Sequence, residues 1–241
     1  MSFEEKQSFG MSFLEKQSFG MSFEEKQPWG KTIYDVIEGS QISFNTKRAH
    51  ITLLTNPHFG RMLFIDGVLQ SAESDEKIYH KKLASLVPDC VKRVLVIGGA
   101  EGAVLRELFL LPLEEVVMVD WDEELVSHMR LQETFSKGAF EDSRLTLLFE
   151  DCSDYFDKSE EFDCIILDLL DANSDEEVEW LFDALLRCFK ILRKGRIILN
   201  AGGNPEKILT LLKQRTCFFP EVHTIFVPSF QEIWHLITID N

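Results

Sequence analysis

Two hydrophobic periodicities divide the chain. Over residues 31–72 the apolar positions form short runs of branched and aromatic residues, "KTIYDVI", "QISFNT", "AHITLLTN" and "RMLFIDGVLQ", broken by Gly, Asn and Pro. Such runs predict strands joined by turns, as a small antiparallel sheet or a pair of hairpins. "SDEKIYHKKLASLV" then switches to helical spacing, with Ser74 or Asp75 as N-cap. From Arg93 onward the apolar runs "RVLVI", "EVVMVD", "LTLLF", "FDCIILD" and "RIILN" alternate with helical patterns. Near-continuous apolar strands joined by helices belong to a parallel sheet covered on both faces. The clearest helix covers 176–192, where Val178, Leu181, Phe182, Leu185, Leu186, Phe189 and Leu192 recur on one face. "EVHTIFVP" and "EIWHLITID" close the chain as an antiparallel hairpin at one sheet edge.

The fold class expected is α/β. Residues 76–241 read as a methyltransferase-like Rossmann domain, a mostly parallel doubly wound sheet with a C-terminal antiparallel hairpin. A small N-terminal β-hairpin domain over 31–75 precedes it. Residues 1–30 are a tandem decamer, "MSFEEKQSFG", "MSFLEKQSFG" and "MSFEEKQPWG". Near-identity between copies points to a young duplication, and ten residues are too few for the usual helical repeat units. The polar composition predicts a disordered extension with transient helix at 4–7 and its equivalents, the folded part beginning at Pro28-Trp29-Gly30. An oligomerisation or docking tag is the alternative reading of the repeats.

The formal charge is −16. That argues against nucleic-acid and anionic-membrane partners, which want a basic surface, and is compatible with a cationic small substrate. The five cysteines are odd in number and lack a C-x-x-C pair. They predict reduced thiols in the cytoplasm rather than a disulfide framework or a zinc site. No apolar stretch is long enough to span a bilayer, and the N-terminus lacks the apolar core of a signal peptide. His50, His58, His128, His223 and His235 show no metal-ligand spacing, so no metal is expected.

Candidate chemistry concentrates at "VLVIGGAEGAVLRELF". Gly98, Gly99 and Gly102 make a G-G-x-x-G turn between a strand and a helix, where a backbone can approach a nucleoside. Asp120 ends the next strand, the place of a carboxylate that accepts from ribose hydroxyls. Asp151 follows the third strand, within reach of an adenine amino group. Each acid alone is equally an ordinary strand-end residue; the three features in order point to nucleoside binding. No lysine or arginine accompanies the turn, and Glu101 sits inside it. A pyrophosphate would be repelled there, so NAD and FAD fit poorly and an S-adenosyl sulfonium fits better. Asp168 ends the fourth strand and Asp171 follows; acids there hold an ammonium group or simply cap a turn. From the residues alone, Tyr79 and His80 read as packing or surface positions.

The assembled pieces resemble the polyamine aminopropyltransferases, the spermidine, spermine and thermospermine synthases. The resemblance is carried by "FGRMLFIDGVLQSAESDEKIYHKKL", "VLVIGGAEGAVLRELF", "VVMVDWDEELV", "EDC", "FDCIILDLLDA", "ILNAGG" and "VPSFQEIW", in family order from about residue 31 to the end. "DG-x-x-Q-S-A-E-x-DE-x-x-YH" and "VPSF…W" look closest to the thermospermine/spermine branch. The family transfers an aminopropyl group from decarboxylated S-adenosylmethionine, a co-substrate rather than a resident cofactor, to a polyamine, leaving methylthioadenosine. Its members are usually dimers. By this resemblance Asp168 and Tyr79 orient and deprotonate the attacking amine. Glu101 lies near the aminopropyl ammonium, Asp120 holds the ribose, Asp151 and Cys152 the adenine, and Gln70 lines the nucleoside site with Gly98, Gly99 and Gly102. Glu73, Asp75, His80, Asp171, Phe230 and Trp234 are candidates for the polyamine channel.

Three departures stand out. The glycine motif reads GGAEGA where the family usually has a third Gly, and His50 stands where a Gln is common. After Asp171 the chain passes quickly into an acidic helix, where the family usually has a longer Gly/Pro-bearing loop that closes over substrates. A conventional S-adenosylmethionine-dependent small-molecule methyltransferase and a catalytically weak regulatory homologue are the rival readings.

Overall fold

The computed structural model describes residues 21–27, 30–158, 160–169, 172 and 174–241. It opens with β1 (Met21–Gln27) and β2 (Gly30–Val36), an antiparallel pair running from Met21↔Val36 to Gln27↔Gly30. β1 lies inside the segment 1–30, expected to be a disordered extension, yet it is strand. The cause is tertiary. Phe23 packs on Phe64, ring centroids 4.5 Å apart. Glu25 is buried and accepts from Tyr34 Oη at 2.7 Å and from the Leu69 amide at 2.8 Å. Decamers one and two lie outside the described residues.

β3 (Ile42–Asn45), β4 (His50–Asn56), β5 (Gly60–Ile65) and β6 (Val68–Ala72) form a four-stranded antiparallel sheet in chain order. The run "RMLFIDGVLQ" is therefore two strands. Asp66 and Gly67 both have positive φ, 50° and 82°, as the tightest hairpin turns require. The sheet is buried on both faces. Leu54, Met62 and Phe64 pack with Tyr34 and Val36 of β2, while Ile51, Leu53 and Leu63 join the core of the following domain.

α1 (Glu76–Ser85) has Asp75 at its N-cap, but that carboxylate makes no cap bond. It accepts instead from the backbone and hydroxyl of Ser229, at 2.7 and 3.0 Å, tying the helix start to the far end of the chain.

The second sheet contains β7 (Arg93–Gly98), β8 (Glu115–Asp120), β9 (Leu145–Phe149), β10 (Phe162–Asp168), β11 (Leu192–Asn200), β12 (Glu221–Val227) and β13 (Glu232–Asp240). Its order is β12-β13-β11-β10-β7-β8-β9, with β13 antiparallel to β11 and β12 and the rest parallel. This is the doubly wound sheet and terminal hairpin that the periodicity predicts. α2 (Ala103–Leu108), α3 (Glu123–Gln132), α4 (Cys152–Tyr155), α5 (Asp175–Ile191) and α6 (Glu206–Arg215) connect the strands. Alternate residues feed separate cores. Val94, Val96, Val116 and Met118 face one side, Leu95, Ile97, Val117 and Val119 the other. Full burial of such side chains contributes roughly 1.5–3 kcal/mol each.

α5 begins with a capping box. Ser174 Oγ accepts from the Glu177 amide, and the Glu177 carboxylate accepts from the Ser174 amide. Val178, Leu181, Phe182 and Leu185 are buried as its apolar stripe requires, but Leu186 is exposed and Leu192 already belongs to β11. Among the described residues no helix is long and apolar enough to cross a membrane.

Candidate active site

A cavity of about 730 Å³ lies where the C-terminal ends of β7, β8 and β10 meet β5, β6 and the turn before β4. Ligands in open α/β sheets gather at such strand ends. Gly98 sets the geometry. It pairs with Asp168, has a φ of 85°, and a Cβ placed on it would collide with the Asp168 carbonyl oxygen. Only glycine lets these strand ends approach so closely.

Asp168 accepts from Tyr79 Oη at 2.5 Å across eighty-nine positions of sequence, which joins the end of β10 to α1. Burial, with the nearby Glu101 charge, pushes the Asp168 carboxyl up to about 6; His80 and the tyrosine bond work the other way. Beside this pair His80 is fully buried. Its Nδ1 lies 2.8 Å from the Glu76 carbonyl oxygen and 3.0 Å from Glu76 Oε2. Nε2 approaches Glu101 Oε1 at 3.1 Å, as an ion pair rather than a well-aligned hydrogen bond. Burial opposes charge on the ring, but Glu101 and Glu76 outweigh it and raise the imidazolium to about 10. Arg106 closes the chain, 2.9 Å from Glu76 Oε2. His80 is thus a buried cation flanked by carboxylates, not the packing or surface residue that its position suggested.

At the other end of the cavity Asp120 is buried and accepts from the Asp122 amide at 2.8 Å. Burial, together with Asp122 and Glu101, pushes its carboxyl up to about 6. Asp122 caps α3 and accepts from Thr46 Oγ1 at 2.6 Å, binding the β3–β4 turn to this end. Asp151 caps α4 through the Ser153 amide at 2.8 Å and lines the cavity beside Cys152. Burial pushes the Cys152 thiol up to about 11, so it offers a neutral wall and not a nucleophile.

Of the residues expected at the site, Gln70, Asp75, Phe230 and Trp234 also reach the cavity wall, as does Gly99. Trp234 Nε1 donates to Asn200 Oδ1 at 2.8 Å, and its ring lies 4.7 Å from that of Phe230. Two expectations are corrected. Glu73 does not line the cavity; its carboxylate accepts from the Arg61 amide at 3.1 Å and lies 3.8 Å from Lys137 Nζ. Gly102 is also outside it, beneath the Phe140 ring, where a Cβ would strike Cε2, so its role is packing. Asp171 lies outside the described residues. His50 does not take up the place of a cavity glutamine. It bonds Asn45 Oδ1 at 2.7 Å, and the wall is made by its neighbours Arg48 and Ala49.

Sequence reasoning missed Trp121, Glu177, Trp180 and Asn200, all lining residues. Trp180 carried a signal, an exposed aromatic off the apolar stripe of α5. Trp121 carried a weaker one, its place next to Asp120. Arg48 stacks over its ring at 4.6 Å.

The fold is of the methyltransferase-like Rossmann class, and it gathers Asp120, Asp151 and Asp168 at the strand ends around one cavity. A sequence model of the spermine/spermidine synthase domain matches residues 74–240. The chain belongs to that family. It is 37% identical over 166 residues to a polyamine aminopropyltransferase of Pseudomonas syringae pv. tomato, covering 66% of this chain and 58% of that protein. It is 34% identical over 207 residues to polyamine aminopropyltransferase 2 of Pseudomonas aeruginosa, covering 78% of this chain and 58% of the relative. The chain thus spans somewhat over half the length of these relatives. In fold it is similar to the spermidine synthase of Thermotoga maritima, with a TM-score of 0.76 and 22% identity over 92% of this chain and 79% of that one. A spermidine synthase in complex with the transition-state analogue AdoDATO gives a TM-score of 0.79 at 21% identity, over 92% and 80% of the two chains.

Proposed function

We propose that this protein is a polyamine synthase that transfers an aminopropyl group from decarboxylated S-adenosylmethionine to an amine of a polyamine, releasing methylthioadenosine. The observation that carries the reading is the Tyr79–Asp168 pair, 2.5 Å apart, in one cavity with Asp120 and Asp151. An acceptor amine is protonated at neutral pH and unreactive. A carboxylate backed by a phenol can hold it and take its proton. The nitrogen lone pair then attacks the propyl carbon bonded to sulfur. The C–N bond forms as the C–S bond breaks, and its electrons return to sulfur, converting a sulfonium to a neutral thioether. No acid is needed for that leaving group, so in-line placement carries most of the rate.

Glu101 is assigned to the aminopropyl ammonium, Asp120 to the ribose, and Asp151 with Cys152 to the adenine. Asp75, Phe230 and Trp234 are assigned to the acceptor's channel. The motifs "DGVLQSAESDEKIYH" and "VPSFQEIW" support a place in the thermospermine/spermine branch. Family resemblance supports a homodimer, and the unpaired cysteines support a cytoplasmic setting.

The test is mass spectrometry of the protein incubated with decarboxylated S-adenosylmethionine and a panel of polyamines. Methylthioadenosine with an acceptor heavier by one aminopropyl unit is the expected result and names the acceptor. A methylated amine formed with ordinary S-adenosylmethionine, and no aminopropyl product, would overturn the proposal.

A further inference from the structure

β1 is recognised by its surroundings at two positions. Phe23 packs on Phe64, and Glu25, 2% exposed, joins the Tyr34 hydroxyl to the Leu69 amide. These are the third and fifth positions of the decamer, and all three copies carry them, as Phe3 and Glu5, Phe13 and Glu15, Phe23 and Glu25. The first copy's "MSFEEKQ" is identical to the strand itself. The second copy differs from it only by Leu14 in place of Glu24, and Glu24 is an exposed side chain whose one bond is to Lys31. Apart from that exposed ion pair, no side-chain contact described for the strand's slot distinguishes one copy from another.

What favours the third copy is its connection to β2, through Pro28 and Trp29 alone. The second copy would close a loop over 18–29 and the first over 8–29. With closure probability falling as the three-halves power of length, these occupancies are roughly 15-fold and 35-fold below that of the third copy. We propose that the three decamers are interchangeable occupants of one strand slot, so that the first and second copies replace β1 beside β2 within the same chain. The slot bears on the active site. The Leu69 amide held by Glu25 precedes Gln70, and both residues belong to the β6 wall of the cavity. The repeats thus act as a built-in reserve for the strand that fixes this wall.

Hydrogen exchange at the Leu69 amide of the full chain reads slot occupancy. Glu25→Ala lowers its protection only about tenfold, because Glu15 and Glu5 take over. Glu5→Ala/Glu15→Ala leaves it unchanged, and the triple variant loses it entirely. Equal loss in Glu25→Ala and in the triple variant overturns the proposal.

Disulfide trapping does not depend on the triple variant folding. Ser22 pairs with Asp35 in the strand register. Ser12→Cys with Asp35→Cys therefore forms an intramolecular disulfide, at least about tenfold enriched over the out-of-register pair Ser18→Cys with Asp35→Cys. Equal yields from the two pairs, or a disulfide that joins two chains, overturn it.

Discussion

Asp120→Asn separates what the buried acid does for binding from what it does to stability. Burial raises the folded-state carboxyl from its ordinary 3.8 to about 6. Its charged form is thus disfavoured by folding. The sign follows directly: a group raised in the folded state loses its stabilising contribution as pH climbs from the unfolded value through the folded one. Above pH 6 the native protein carries an ionised Asp120 at a cost of about 3 kcal/mol, from roughly 2.2 pKa units at 1.36 kcal/mol each. Asparagine keeps the oxygen that accepts from the Asp122 amide and removes the charge. The variant should therefore be more stable at pH 7.5, by an amount on the order of 1–3 kcal/mol, and by about half as much at pH 5. Urea unfolding at the two pH values measures this. Calorimetry with methylthioadenosine should show the opposite trend, weaker binding by about 1.5–3 kcal/mol, as for hydrogen bonds to a charged group. A variant no more stable than wild type, or a gain that ignores pH, would refute the account of Asp120 as a strained, buried charge. Unchanged nucleoside affinity would remove it from the ribose site without touching the stability argument.

Asp168→Asn should bind methylthioadenosine normally while turnover falls by roughly 10²–10⁴, the usual worth of a positioned base; wild-type turnover would show that Asp168 takes no proton. Because the same carboxyl is raised to about 6, kcat/KM should fall as pH drops through that value, and Tyr79→Phe should move the acid limb upward by removing the bond that favours the carboxylate. A flat profile between pH 5 and 8 counts against the assignment. Glu101→Gln should weaken the decarboxylated donor at least tenfold and leave methylthioadenosine unaffected, which competition binding distinguishes. Gly98→Ala should lose both stability and activity, since its methyl group meets the Asp168 backbone; an active, stable variant would contradict the close approach of β7 and β10.

Strand ends were the most readable part of the site. Gly98, Asp120, Asp151 and Asp168 each follow an apolar run, and in a parallel sheet every such position opens on the same edge. What the pattern could not carry was the pairing between distant elements. Nothing local says that Asp75 would leave its helix to bond Ser229, or that His80 would lie between Glu76 and Glu101. β1 failed for a related reason. Its residues are polar and alternate weakly, and it becomes a strand because Tyr34, Leu69 and Phe64 offer partners that only the folded domain assembles. Glu73 and Gly102 fell outside the cavity through details of turn and packing that motif spacing ignores.

The buried His80 cation resolves a tension in the proposed chemistry. A pocket of carboxylates attracts a polyamine, but it also stabilises the ammonium form and so opposes the deprotonation that makes the amine a nucleophile. Glu101 and Asp168 both line this region, and the Glu101 charge raises the cost of ionising Asp168. A cation fixed beside them, charged to about pH 10, offsets part of that field without entering the reaction. It favours the Asp168 carboxylate, as required of a base, and it lessens the grip on the ammonium. Glu76, itself paired with Arg106, holds the imidazole through Nδ1, so the compensation is part of the scaffold rather than of the substrate. In the proposed chemistry, this is how one cavity collects a polycation and still releases a proton from it.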